Sequence, residues 1–126
     1  MAKQLVISIV DDDESVCEAI VDLMRSMGFM AEAFALAETF LRSESRHVTS
    51  CLILDGQMPG MSGLEFHRRL IASGSHIPTV LITAYPDEKV RTQALRAGVI
   101  GYLTKPFSDA ELLRCINSAL ENRKAS

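Results

Sequence analysis

The sequence predicts a three-layer α/β/α domain built on a parallel sheet. Two observations lead there. Short apolar runs alternate with longer stretches of helical spacing along the whole chain. Two of those runs, at 5–10 and 51–54, are almost continuously apolar, as strands covered on both faces must be. Alternation of this kind implies βαβ units, whose connections return each strand parallel to the last with helices on both faces. The chain has 126 residues, 48% of them hydrophobic, enough for one core without disulfide or metal support. One domain is expected over 1–122, followed by a polar tail at 123–126.

The first strand is expected at 5–10. The N-terminal segment carries one lysine and too short an apolar run for a secretory signal, and it ends in Asp11, Asp12 and Asp13. The first helix follows, striped on one face by Val16, Ala19, Ile20, Leu23, Met24 and Met27, with Gly28 as its stop. Asp13 has the position of a helix N-cap. Further strands are expected at 30–34, 51–54, 79–82 and 100–103. Ser62 with Glu65, and Ser108 with Glu111, have capping-box spacing at the start of two later helices. The last helix buries Leu112, Leu113, Ile116, Ala119 and Leu120.

Several function classes are excluded early. A net charge of −3 gives no basic field for nucleic acid or an anionic membrane. The three cysteines, at 17, 51 and 115, form no close pair, which disfavours a disulfide framework or a zinc site and suits reduced thiols in the cytoplasm. His47, His67 and His76 lack zinc-ligand spacing and are expected at the surface. No Gly-rich phosphate loop follows a strand.

Open α/β sheets bind ligands beyond the carboxyl ends of their strands. Asp11, Asp12 and Asp13 follow the first strand, Asp55 the third, Thr83 the fourth, and Thr104 and Lys105 the fifth. The second strand supplies only Ala35, which puts it at the sheet edge. Each residue alone has an ordinary explanation: a cap, a turn hydroxyl, a solvated lysine. Together they bring carboxylates, a hydroxyl and an ammonium to one rim. Clustered carboxylates repel one another, and a hard divalent cation such as Mg²⁺ relieves the repulsion. An Asp carboxylate beside such a cation can take up a phosphoryl group as an aspartyl-phosphate. Mg²⁺ and Lys105 would then neutralise the oxygens in flight.

Four motifs in order carry a family resemblance: IVDDDESV at 9–16, LILDGQMPGMSGLE at 52–65, LITA at 81–84 and GYLTKPF at 101–107. The chain resembles the receiver domain of two-component response regulators from residue 5 to about residue 120. The segments MPGMSGLE at 58–65 and GYLTKPF at 101–107 are particularly like receivers joined to helix-turn-helix DNA-binding domains. The resemblance implies a flavodoxin-like (βα)5 fold with strand order 2-1-3-4-5. It implies Asp55 as phosphoacceptor and Asp11 with Asp12 as the acidic pair, with Asp12, Asp55 and the backbone carbonyl of Gln57 on Mg²⁺. It further implies Thr83 as switch hydroxyl, Tyr102 as switch aromatic, Lys105 as phosphate-contacting lysine, and a cis Lys105–Pro106 peptide. The protein would be a switch that assists its own phosphorylation and dephosphorylation, not a turnover enzyme. Its donor would be a sensor histidine kinase or a histidine phosphotransfer protein, docking on the face of Ser15 and the turn at 104–108. Output would run through helix 4, strand 5 and helix 5, where the face around Val90, Ala94, Ile100 and Tyr102 is a candidate partner or homodimer surface, ordinary core packing being the equal alternative for Val90 and Ala94. No direct contact with nucleic acid or membrane is expected.

Some positions depart from that pattern. Gly56 replaces a bulky aliphatic and is expected to loosen its loop and leave a small gap. Gln57 and Tyr85 are large enough to obstruct a water attacking the phosphoryl group, and Pro86 stiffens the approach to helix 4. A haloacid-dehalogenase-like phosphatase would need a second Asp where Gln57 stands. A calcium loop would need glycine where Val16 stands. A receiver acting only as an interaction module would not need the full set Asp11, Asp12, Asp55, Thr83 and Lys105. A stand-alone receiver and a fragment of a transcription regulator both remain open.

Overall fold

Five parallel strands form one sheet in a computed structural model that describes residues 5–125. The sheet strands are β1 (Val6–Val10), β2 (Met30–Phe34), β3 (Cys51–Asp55), β6 (Thr79–Thr83) and β7 (Gly101–Thr104). The order β2-β1-β3-β6-β7 is the predicted 2-1-3-4-5, and β2 lies at an edge as expected. The numbering gap is filled by two short strands, β4 (Gln57–Met58) and β5 (Met61–Ser62), paired antiparallel in a hairpin. Pro59 and Gly60 turn it, and Gly60 takes the positive φ of 78° that a side chain disfavours.

Helices α1 (Glu14–Ser26), α2 (Ala37–Arg42), α3 (Gly63–Ala72), α4 (Glu88–Arg96) and α5 (Asp109–Ala125) connect the strands, with a 3₁₀ turn at Glu44–His47. Strand alternation divides the core in two. Ile7, Ile9, Ile53 and Ile82 pack with Ile20 and Met24 of α1 and Leu112 and Ile116 of α5. Val10, Leu52, Leu54 and Leu81 face the other way, toward Phe40, Phe66, Leu70 and Ala94. There Phe40 meets Phe34 and Phe66 edge-on, at ring separations of 5.4 and 6.4 Å.

The expected caps form. Asp13 accepts from the Ser15 and Val16 amides at 3.0 and 3.3 Å. Ser62 accepts from Glu65 N–H at 3.1 Å. Ser108 and Glu111 cap one another reciprocally, at 3.1 and 3.3 Å. Gly28, at φ 88°, ends α1.

Several expectations are corrected. Ala19 and Met27 are exposed, because Met27 is the C-cap of α1 and Ala19 lies at the margin of its buried face. His67 is only 2% exposed: it lies on the inner face of α3, one residue past Phe66, and its ring reaches α4. Of the two alternatives for Ala94 and Val90, core packing holds: Ala94 is fully buried and Val90 half-buried against it. Helix α5 spans Asp109–Ala125, and Ser126 and the first four residues lie outside the described residues.

Candidate functional site

Parallel strands that start at one edge deliver their last residues to the other, and here that rim is polar. Asp55 ends β3 and Thr83 ends β6, each one residue inside the strand rather than just past it as expected. Asp11 directly follows β1 and Lys105 directly follows β7. Pairing of Asp55 with Ile82, and of Thr83 with Thr104, fixes their relative height.

Asp11, Asp12 and Asp55 each offer a carboxylate oxygen, and the three oxygens lie within 4.8 Å of one another. Asp11 is 1% exposed and both its oxygens are engaged: Oδ1 accepts from Asp13 N–H at 2.8 Å and Oδ2 from Lys105 Nζ at 2.8 Å. Asp55, 6% exposed, accepts from Gln57 N–H at 3.2 Å and has Lys105 Nζ 3.6 Å away. Asp12 is exposed.

Three carboxylates thus face one ammonium. Burial, with the charges of Asp11 and Asp12, pushes the Asp55 carboxyl above its ordinary value, although the Gln57 amide and Lys105 oppose this. Burial alone would lower Lys105; the hydrogen bond and charge of Asp11, with the charge of Asp55, outweigh it and raise the ammonium. Asp13 is held low by the Ser15 hydroxyl and the Val16 amide, as a cap would be. A clustered, oxygen-only donor set with excess negative charge suits a hard divalent cation. Gln57 is held beside Asp55 by its own amide, on the β4–β5 hairpin that the MPGM segment turns.

Thr83, 3% exposed, accepts from Tyr85 N–H at 3.0 Å. Tyr102 is half-buried, and its hydroxyl oxygen accepts from Asp87 N–H at 3.2 Å. Asp87 is itself the N-cap of α4, accepting from Lys89 and Val90 amides at 2.8 and 3.4 Å. That link between the aromatic and the helix carries no mark in the sequence. Lys105–Pro106 is cis, as expected. Gly63 is also placed by necessity, since a Cβ there would collide with the Asp55 carbonyl oxygen.

Gly56 corrects an expectation. Its N–H donates to Ile82 O at 2.7 Å and its carbonyl accepts from Gly63 N–H at 2.9 Å, so the loop is pinned at both ends. An added Cβ would meet Thr83 Cβ at 3.1 Å, so no gap is left there.

A parallel α/β sheet whose strand ends gather an acidic triad, a hydroxyl and a lysine defines a receiver-type signalling domain. Residues 7–117 match the response regulator receiver domain model, and the chain belongs to that family. It is 43% identical to the response regulator protein TodT of Pseudomonas putida over 116 residues, 92% of this chain and 51% of that protein. It is 31% identical to the transcriptional regulatory protein FixJ of Azorhizobium caulinodans over 120 residues, 95% of this chain and 57% of that protein. The chain therefore spans about half the length of these curated relatives. Among solved structures it is similar to the response regulator StyR, at 42% identity and a TM-score of 0.87, covering 98% of this chain and 64% of that one. The FixJ-N structure matches at 31% identity and a TM-score of 0.84, covering 95% and 96%. No helix among the described residues is long and apolar enough to cross a membrane.

Proposed function

We propose that this chain is a phosphorylation-driven switch in which Asp55 takes a phosphoryl group from a phospho-histidine donor in a Mg²⁺-dependent step. One observation carries the reading: the Asp55 carboxylate is buried among Asp11, Asp12 and Lys105, with the three acids within 4.8 Å. Asp12, Asp55 and the Gln57 carbonyl are the groups proposed to hold Mg²⁺, which when bound supplies positive charge against the carboxylates and the phosphoryl oxygens. Asp55 Oδ attacks phosphorus; the P–N bond of the donor breaks and its electron pair stays on the imidazole. Lys105, already between Asp11 and Asp55, moves its ammonium to a phosphoryl oxygen. Thr83 turns its hydroxyl from Tyr85 N–H toward another. Tyr102 then leaves Asp87 and turns inward, which changes the α4–β7–α5 surface.

The donor is a sensor histidine kinase or a histidine phosphotransfer protein. A hollow of about 460 Å³ beside Asp13 and Lys105, lined by Ala19, Leu23 and Phe107, supports docking on the α1 and β7–α5 face. The chain is a phosphoacceptor that also assists loss of its own phosphoryl group, rather than a turnover enzyme. The relatives' names support transcription control as output, reached through protein contacts of this domain, including a homodimer through α4–β7–α5. A cytoplasmic location goes with this reading, supported by the free thiols of Cys17, Cys51 and Cys115.

The test is incubation with acetyl phosphate and Mg²⁺ followed by intact mass measurement. One phosphoryl group is expected on the wild-type chain and none on Asp55→Asn or in excess EDTA. An unmodified wild-type chain, or equal modification of Asp55→Asn, overturns the reading.

A further inference from the structure

The two ends of α4 are held differently. Residues 84–89, which lead into the helix and form its first residues, are all exposed. The bond that ties this end to another element of the sheet runs from Asp87 N–H to the Tyr102 hydroxyl, at 3.2 Å. Two hollows adjoin it, of about 520 and 360 Å³, and Pro86, Asp87 and Tyr102 line both. This end has room to move.

The other end is built into the core. Ala94 and Val99 are buried. Val99 N–H donates to Ala94 O at 3.0 Å and Gly98 N–H to Leu95 O at 3.1 Å, and Gly98 takes the φ of 95° that stops a helix. Ile100 N–H then donates to Thr79 O at 2.8 Å and leads into β7. Helix ends leave carbonyls without intrahelical partners. At Ala97 the partner comes from α3: His67 Nε2 lies 3.0 Å from Ala97 O, and since a carbonyl only accepts, the ring nitrogen donates. His67 is buried, so water does not compete for that bond.

We propose that His67 is the fixed end of a hinged helix. It holds the C-terminal end of α4 against α3, so that release of Tyr102 from Asp87 frees the first half of the helix and leaves the second half in place. The surface that differs between the two states is then the segment 85–91, while Leu95 and Arg96, though exposed, keep their positions. The inference rests on the proposed movement of Tyr102 and adds which part of α4 follows it. His67 acts through Ala97 and not on the phosphoryl group, so it is a positioning residue.

Amide hydrogen exchange, read along α4 by NMR, tests this. Tyr102→Phe cuts the first tie with no phosphoryl group present. Exchange should speed up about fivefold at Asp87 and by less than about twofold at Ala97, Gly98 and Val99. His67→Leu should reverse the pattern, about fivefold at those three amides and under about twofold at Asp87. His67→Gln keeps an N–H donor at similar reach and should restore the wild-type rates, whereas a space-filling role would leave it no better than leucine. With acetyl phosphate and Mg²⁺, faster exchange should stop short of Ala97 in the wild-type chain and extend through Val99 in His67→Leu.

Equal acceleration at both ends of α4 in Tyr102→Phe overturns the inference, and that measurement needs no change at position 67. So does a His67→Gln chain that exchanges as fast as His67→Leu at Ala97–Val99, or a phosphorylated wild-type chain in which the effect reaches Val99. A wild-type chain that takes no phosphoryl group while the Tyr102→Phe pattern holds would instead fault the assignment of Asp55.

Discussion

Lys105 Nζ stands 2.8 Å from Asp11 and 3.6 Å from Asp55, so the lysine's closer partner is Asp11 and not the proposed phosphoacceptor. The ammonium occupies charge that a divalent cation would otherwise neutralise. Lysine and metal therefore compete for the same carboxylates. Replacing Lys105 by methionine is expected to tighten Mg²⁺ binding about fivefold, the worth of one partly buried charge pair, while phosphorylation slows. Calorimetric titration with Mg²⁺ checks this; weaker Mg²⁺ binding by Lys105→Met would show that the lysine organises the acids instead of competing.

Crowding of Asp55 has a cost in the metal-free protein. Its pKa is raised by burial first and by Asp11 and Asp12 after that, so the folded state binds its proton more tightly than the unfolded state. Stability consequently falls as pH rises from the ordinary carboxylate value of 3.8 through the raised value, and the whole cost is present at neutral pH. Asp55→Asn should raise the melting temperature by a few degrees in EDTA. Added Mg²⁺ should stabilise the wild-type chain more than the variant. A variant that melts at or below wild type in EDTA would refute the repulsion argument.

The bond from Asp87 N–H to the Tyr102 hydroxyl, at 3.2 Å, ties the proposed switch aromatic to the N-cap of α4. Tyr102→Phe removes the acceptor and little else. Hydrogen exchange at the Asp87 amide should speed up about fivefold and the melting temperature should fall by a few degrees, since one bond of this kind is worth about 1 kcal/mol. Unaltered protection at Asp87 would mean that the hydroxyl does not restrain the helix.

The residues the sequence exposed and those it hid differ in a physical way. Asp11, Asp55, Thr83 and Lys105 were legible because strand-end position is a one-dimensional property: each follows or closes an apolar run, and a parallel sheet sends such ends to one rim. Asp13, Ser62 and Ser108 were legible because a cap acts within four residues. What was hidden depends on distance across the fold. Gly56 reads as a loosened loop until Ile82 and Gly63 are seen to pin it. The Asp87–Tyr102 bond joins residues fifteen apart. The β4–β5 hairpin is the intermediate case, since Pro59-Gly60 marks a turn but its two-residue strands are too short to show periodicity.

His67 belongs with the hidden set, because its neighbours Arg68 and Arg69 make the segment look solvent-facing. Its Nε2 lies 3.0 Å from the Ala97 carbonyl at the end of α4; a carbonyl only accepts, so Nε2 carries the proton. Nδ1 is then the bare nitrogen, and it is buried with no hydrogen-bond partner among the described residues. Protonating it would place a cation where no acceptor waits. Burial accordingly lowers the pKa, with the Arg68 charge adding to this and the Ala97 bond opposing it. A lowered folded-state value means that the unfolded chain binds the extra proton first, so stability is intact above the ordinary value of 6.5 and is lost as pH falls below it. His67→Leu should cost about 1 kcal/mol at neutral pH through loss of the Ala97 bond. It should also flatten the decline in urea midpoint between neutral and mildly acidic pH. A variant with the wild-type slope would assign that acid sensitivity to other groups.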